Sequence, residues 1–206
     1  MNFRYFLEPS PELGPTSDRT KRLRLTRDMI IHLGRPLKTE GIVAPDDMVP
    51  VIAPDRSGKR KEFPMIWGFH VDGLPHPIIK ARVENARDTD TFKESWRRHR
   101  CVIPAAYYLD RSRSQSDGRI IPKDRYAIQP VGKAVTFFAG LYRIEEGYMG
   151  FKYPAFAILT RPATPDLKMI DDRMPVMLEE ADIDAWIQPG KVPKIKANTN
   201  MVAEKV

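Results

Sequence analysis

Apolar and polar positions alternate from the start of the chain. In MNFRYF, Phe3 and Tyr5 stand between Asn2 and Arg4, the two-residue period of a half-buried strand. First residues ordinarily fray, so an N-terminal strand tied into a sheet marks a stretch with a structural or functional task. Similar strand-like runs recur in VPVIA at 49–53, PMIWGF at 64–69, CVIPAAYYL at 101–109, RYAIQ at 125–129, AVTFFAGLY at 134–142 and AFAILT at 155–160. Each is short, rich in β-branched or aromatic residues, and bounded by turn signals. Helical spacing is rarer. RTKRLRLTRDMIIHL reads as a basic amphipathic helix that follows a loop, PSPELGPTS, at 9–17. Thr91-Phe92-Lys93-Glu94 has capping-box spacing, and the helix it opens carries Phe92, Trp96 and His99 on one face. Thr164-Pro165-Asp166 places proline at a first helical position, and EEADIDAWI before Gln188-Pro189-Gly190 reads as a further short helix. Strands with helices scattered irregularly among them predict an α+β fold rather than strict βαβ alternation.

Composition narrows this picture. The 206 residues suffice for one domain with a sizeable core, spanning 1–206 and ending in a polar, proline-containing tail over 188–206. Nineteen prolines against twelve glycines fit many loops and short strands. No apolar run has the length of a membrane span, and the N-terminus lacks the apolar core of a signal peptide, so a cytoplasmic protein without membrane partners is expected. The single cysteine, Cys101, forms no internal disulfide and agrees with a reducing compartment. Formal net charge is +7, and the basic residues cluster in RTKRLRLTR at 19–27, RSGKRK at 56–61 and WRRHR at 96–100. Such an excess attracts polyanions, nucleic acid first, although clusters of this kind equally suit a solvated surface.

Several segments together carry a resemblance. IIKARVENA, then F-K-x-x-W, then RRHRCVIPAAYYLD, and later FAGLYR, FAILTRPA and MIDDRMPVMLEEADIDAW follow one another in order, preceded by MNFRYF, GIVAPDDMVPVIAP and MIWGF. Their order and spacing, from Met1 to about Ile187, resemble the SOS response-associated peptidase (SRAP) family. The resemblance implies an α+β fold in which a strand-rich bifurcated sheet rolls into a pseudo-barrel with a few short helices. It also implies a basic groove for single-stranded DNA and a role in sensing abasic sites. In the family, a second-position cysteine closes a thiazolidine ring on the sugar aldehyde, assisted by an asparagine, a glutamate and a histidine, and the same cysteine is linked to a proposed autoproteolysis.

This chain departs from that pattern at every reactive position. The family start M-C-G-R-F reads Met1-Asn2-Phe3-Arg4-Tyr5, so Asn2 occupies the nucleophile's place. An amide is not a useful nucleophile at neutral pH and supplies no sulfur for the ring. A second residue of this size also favours retention of Met1, which moves the amine one residue further off. The family's N-A-R-x-E reads Lys80-Ala81-Arg82-Val83-Glu84, its Y-E-W reads Leu109-Asp110-Arg111, and its I-H-D-R-M-P reads Ile170-Asp171-Asp172-Arg173-Met174-Pro175. Asn2, Lys80, Asp110 and Asp171 thus stand at the four catalytic positions of the family, all substituted, and the crosslink is not expected to form. The DNA-binding positions are better kept. Arg4, Trp67, Gly68, Phe69, Arg82, Thr160 and Arg173 fall where the resemblance places phosphate contacts and an apolar wedge between bases. A core role for Trp67 and Phe69, and an ion pair between Arg173 and Asp172, are the alternatives.

The substituted positions allow two chemistries. A partly neutral Lys80 amine beside an abasic aldehyde forms a Schiff base that leads to β-elimination; a charged Lys80 contacts phosphate or pairs with Asp110 or Asp171. Two aspartates in one pocket can move protons or hold a divalent ion, but an ion-pair cluster filling the old site is the simpler reading. The four histidines, His32, His70, His76 and His99, show no ligand spacing, and Cys101 reads as a buried small hydrophobe, so neither metal nor cofactor is expected. The expectation is therefore a monomeric, SRAP-like protein of the DNA damage response that binds single-stranded or junction DNA, including DNA with an abasic site, without Cys-dependent chemistry. An enzyme of altered mechanism built on Lys80 is the alternative, and a scaffold that binds a protein through its basic face is a third reading.

Overall fold

The computed structural model describes residues 3–8, 19–116, 119–190 and 200–206. Strand β1 (Arg4–Leu7) precedes helix α1 (Arg19–Leu33), and β2 (Gly41–Val43), β3 (Met48–Pro54) and β4 (Arg60–Trp67) follow. After β5 (Lys80–Arg82) come helix α2 (Lys93–Arg98), β6 (Arg100–Ala105), β7 (Tyr107–Ser116), β8 (Arg119–Pro130), β9 (Thr136–Glu146) and β10 (Lys152–Pro162). The short strands β11 (Arg173–Pro175) and β12 (Met177–Leu178), helix α3 (Ile183–Ile187) and β13 (Met201–Lys205) complete the order. The α+β expectation holds.

The strands form two sheets. One has the order β13-β8-β7-β1-β2, so the N-terminal strand is an interior strand, antiparallel to both β7 and β2. The other runs β11-β10-β4-β3-β6-β9-β12, and a further pairing of β10 with β9 closes β10, β4, β3, β6 and β9 into a ring. That ring is the pseudo-barrel, although its β10–β4 closure spans only Ala155 to Phe156 against Ile66 to Trp67.

Strand period explains how this ring buries both faces. Along β10, Phe156 and Ile158 point into the core shared with the five-stranded sheet, while Ala155, Ala157 and Leu159 point into a second core. Residues Tyr153 to Thr160 of β10 are all buried, which is why its sequence is a continuous apolar run instead of an alternation. The helices cover the second core: Leu25, Met29 and Leu33 line one face of α1, and Trp186 and Ile187 anchor α3. Arg100 is buried between α2 and α3, where its guanidinium donates to the carbonyls of Trp96, Trp186, Gln188 and Gly190. It therefore does not belong to the surface patch suggested by WRRHR.

Several local expectations change. CVIPAAYYL is not one strand: the chain leaves the ring after Ala105 and enters the other sheet at Tyr107, with Ala106 N–H donating to the Phe6 carbonyl at 2.8 Å. The box at Thr91 does not form, because α2 takes Phe92 as its cap with no side-chain hydrogen bond. Pro165 opens a single 3-10 turn over Pro165–Leu167. The presumed tail ends in structure, since β13 pairs along β8 from Met201↔Pro130 to Lys205↔Tyr126. The loop at 9–17 lies outside the described residues.

One backbone detail places Lys80. The chain leaves β10 at Gly68, whose N–H donates to Phe156 O at 2.8 Å, makes an excursion bridged by Phe69 and Ile78, and rejoins β10 in parallel at Lys80↔Ile158. Gly68 has φ +124°, and a Cβ there would lie 2.6 Å from Pro77 Cβ. Only glycine tolerates both the conformation and the contact. Gly68→Ala is expected to destabilise the fold by roughly 1–3 kcal/mol, read as a lower urea midpoint; an unchanged midpoint would contradict this role.

Candidate functional site

The first described residue is already part of the site. Phe3 stacks on Tyr108 with ring centroids 5.5 Å apart and meets the edge of Trp67 at 5.9 Å. Lys80 Nζ lies 4.9 Å above the Phe3 ring, a cation–π contact that holds the ammonium beside the start of β1. Asp110 follows Tyr108 by two residues on β7 and so faces the same side of the sheet. It is 4% exposed, and its Oδ1 accepts the Arg111 N–H at 2.8 Å. Across from it, Asp171 Oδ1 accepts the Arg173 N–H at 2.9 Å, an arrangement that turns the chain into β11.

Tyr108, Asp110 and Asp171 share one small recess, lined also by Ile128, Leu167, Ile170 and Arg173; Lys80 is joined to it through Phe3, which stacks on Tyr108. The Tyr108 hydroxyl registers the arrangement. Burial, then the negative charges of Asp110 and Asp171, hold its pKa well above the ordinary tyrosine value. Three of the four family positions are thereby gathered: Lys80 against Phe3, and Asp110 with Asp171 around Tyr108. Asn2, the fourth, lies outside the described residues.

The positions expected to touch DNA divide into two groups. Arg82 is exposed at the end of β5, and Arg4 is half-buried on β1, where its Nη1 donates to the Phe3 carbonyl at 2.9 Å. Arg173 borders the recess. Thr160 is buried, with its hydroxyl donating to Ala81 O at 3.3 Å and its carbonyl accepting from Arg173 Nη2 at 2.7 Å. Trp67 and Phe69, by contrast, are 0% exposed. Trp67 is enclosed by Phe3, Tyr5 and Phe156 and donates Nε1–H to Ile79 O at 3.1 Å. Phe69 is covered by Phe92 and by the Arg143 guanidinium. The expected wedge of Trp67 and Phe69 thus gives way to a core role in this structure, because neither ring has a free face to offer a base. Gly68 between them uses its N–H within the sheet.

Arg173 pairs with Glu84, not with Asp172. Nη1 and Nη2 donate to the two carboxylate oxygens at 2.7 and 2.8 Å, a bidentate fork. The hydrogen bond from Arg173 holds the Glu84 carboxyl below the ordinary glutamate range, so the pair is intact at neutral pH and is lost only as pH falls through that lowered value. Sequence reasoning missed Glu84 as a partner. Its pairing follows from β5 and β11 both joining the same end of β10, at Thr160↔Arg82 and Pro162↔Arg173, which no local pattern announces.

Cys101 is far from this chemistry in kind. It is 0% exposed in β6, and burial pushes its thiol pKa well up, so it carries no thiolate at neutral pH.

The family profile described as SOS response associated peptidase (SRAP) matches residues 20–205. The chain belongs to the SRAP family. The matched region takes in Lys80, Asp110, Asp171, Arg82 and Arg173, and leaves β1 outside. Among SRAP relatives, abasic site processing protein YoaM of Bacillus subtilis is 28% identical over 152 residues, which are 71% of this chain and 65% of that protein. Abasic site processing protein YobE of the same organism is 26% identical over 154 residues, 71% of this chain and 67% of its own length. This chain therefore spans about two thirds of the relatives it matches. Crystal structures share the fold at low identity. A phage-related protein from Bordetella bronchiseptica superposes with a TM-score of 0.68 at 18% identity, covering 98% of this chain and 93% of its own. A protein from Bacteroides thetaiotaomicron gives 0.65 at 18% identity, covering 88% of each chain. Among the described residues, no helix is long and apolar enough to cross a membrane.

Proposed function

We propose that this SRAP protein acts in the DNA damage response as a noncovalent binder of single-stranded or junction DNA at abasic sites. The observation that carries the proposal is the content of the family site. It holds Lys80, Asp110 and Asp171 and is supplied with no thiol, since position 2 is asparagine and Cys101 is sealed in the core. A net charge of +7 and the arginines at 4, 82 and 173 supply the electrostatic part of binding. The relatives named for abasic site processing support the choice of ligand. A monomer in the cytoplasm completes the reading.

Lys80 supports a second reading, an abasic-site lyase. The observation in its favour is the placement of its amine over Phe3, beside the N-terminal strand and on the side of the sheet that Asp110 also faces. In that chemistry the deprotonated amine adds to the C1′ aldehyde and water leaves to give an iminium. A carboxylate then takes a C2′ proton, and the 3′ C–O bond breaks with the phosphate as leaving group.

Fluorescence anisotropy with a labelled single-stranded oligonucleotide tests the first reading. Three phosphate contacts give a slope of about −2 in log K against log salt, so affinity should fall on the order of tenfold between about 50 and 200 mM salt. Binding that ignores salt, or none at all, would contradict it. For the lyase reading, strand cleavage at an abasic site and a borohydride-trapped adduct should both vanish in Lys80→Ala. Cleavage that survives the substitution excludes this lysine.

A further inference from the structure

The Arg173 fork is occupied in the free protein, and by the wrong kind of partner for a DNA-binding residue. Glu84 presents two oxygens to Nη1 and Nη2 at 2.7 and 2.8 Å, the bidentate geometry that arginine also uses on the non-bridging oxygens of a phosphodiester. Arg173 is otherwise held in place from behind, since Nη2 also donates to Thr160 O at 2.7 Å and its backbone N–H is fixed by Asp171. Its Nε is buried without a hydrogen-bond partner among the described residues. The guanidinium is thus fixed at the rim of the recess. Glu84 is the more exposed member of the pair, with 45% of its side chain accessible against 21% for Arg173, so the carboxylate is the member free to swing away. Arg82, two residues earlier, is exposed and close enough for its charge to help depress the Glu84 pKa.

We propose that Glu84 is an internal stand-in for a backbone phosphate: it occupies the Arg173 fork in the free protein, and a phosphate of the bound strand takes its place. This rests on the DNA-binding reading and adds to it a residue that sets affinity. Exchanging one anion for another keeps Arg173 oriented at all times, yet costs the strand the pairing that Glu84 loses. A ligand that touches Arg173 alone cannot supply the exchange, whereas a strand held also at the neighbouring Arg82 can. Glu84 then raises the threshold for binding and discriminates against short or isolated anions.

The test compares wild type, Glu84→Gln, Arg173→Met and the double variant by anisotropy on a labelled single-stranded oligonucleotide, with circular dichroism to verify folding. Glu84→Gln keeps the shape of the side chain but removes its charge and leaves one acceptor oxygen where the Arg173 fork meets two. It should bind roughly three- to tenfold more tightly than wild type, and this gain should vanish in the Arg173→Met background. If wild type binds and Glu84→Gln binds equally or less well, the stand-in role is overturned while the DNA-binding reading survives. A gain that persists without Arg173 also overturns it, since Glu84 would then act by general charge repulsion. Absence of binding by wild type and every variant removes both readings. Should Glu84→Gln not fold, Glu84→Asp, too short to span both nitrogens, is expected to give a smaller gain by the same route, and no gain from it counts against the proposal.

Discussion

Phe3, Tyr5 and Tyr108 come from the five-stranded sheet, Trp67, Phe138 and Phe156 come from the ring, and these six side chains must share one water-free space for the two sheets to stay together. Their centroids lie between 5.3 and 6.3 Å apart, in edge-on and stacked arrangements. Each such pair adds roughly 0.5–1.5 kcal/mol beyond the area it buries, so the cluster is worth more than any ion pair on the surface. Its position also decides where function can be. Lys80 rests on Phe3, Asp110 is two residues beyond Tyr108, and Tyr108 itself lines the recess with Asp171 and Arg173. The site is an outgrowth of the core, held to it by an N-terminal strand that pairs on both of its edges.

The same cluster accounts for the fate of Trp67. An aromatic beside glycine at the end of a strand has two uses: it can project as a wedge, or it can fill the junction where two sheets meet. Here Phe3, Tyr5 and Phe156 surround it, and its indole N–H is satisfied by Ile79 O. Near the recess the groups that remain are ionic, namely Arg173 and, beside its partner Glu84, Arg82. Ionic groups of that kind read the backbone of a strand and not its bases.

Much of the fold was legible. Alternation at Phe3 and Tyr5 pointed to a tied-down first strand, AFAILT at 155–160 pointed to a strand, and irregular helices pointed to α+β. The break inside CVIPAAYYL was not legible, because Ile103 and Tyr108 are buried in the same shared core from different sheets, and nothing in composition changes between them. β13 was hidden for the opposite reason. As an edge strand it is only partly buried, so MVAEK carries no strong pattern. The resemblance singled out Lys80, Asp110 and Asp171 as candidates, and the fold brings the elements that carry them together. Glu84 escaped notice because its pairing with Arg173 spans 89 residues and depends on the register of two short strands on β10.

A noncovalent binder, as proposed, keeps the family scaffold without the family's covalent chemistry. Intact mass spectrometry tests this, after incubation of the protein with an abasic single-stranded oligonucleotide and heat denaturation without any reductant. The expected result is the unmodified protein mass alone, from a sample that forms a complex under native conditions. A species heavier by the oligonucleotide, stable to denaturation, would contradict it.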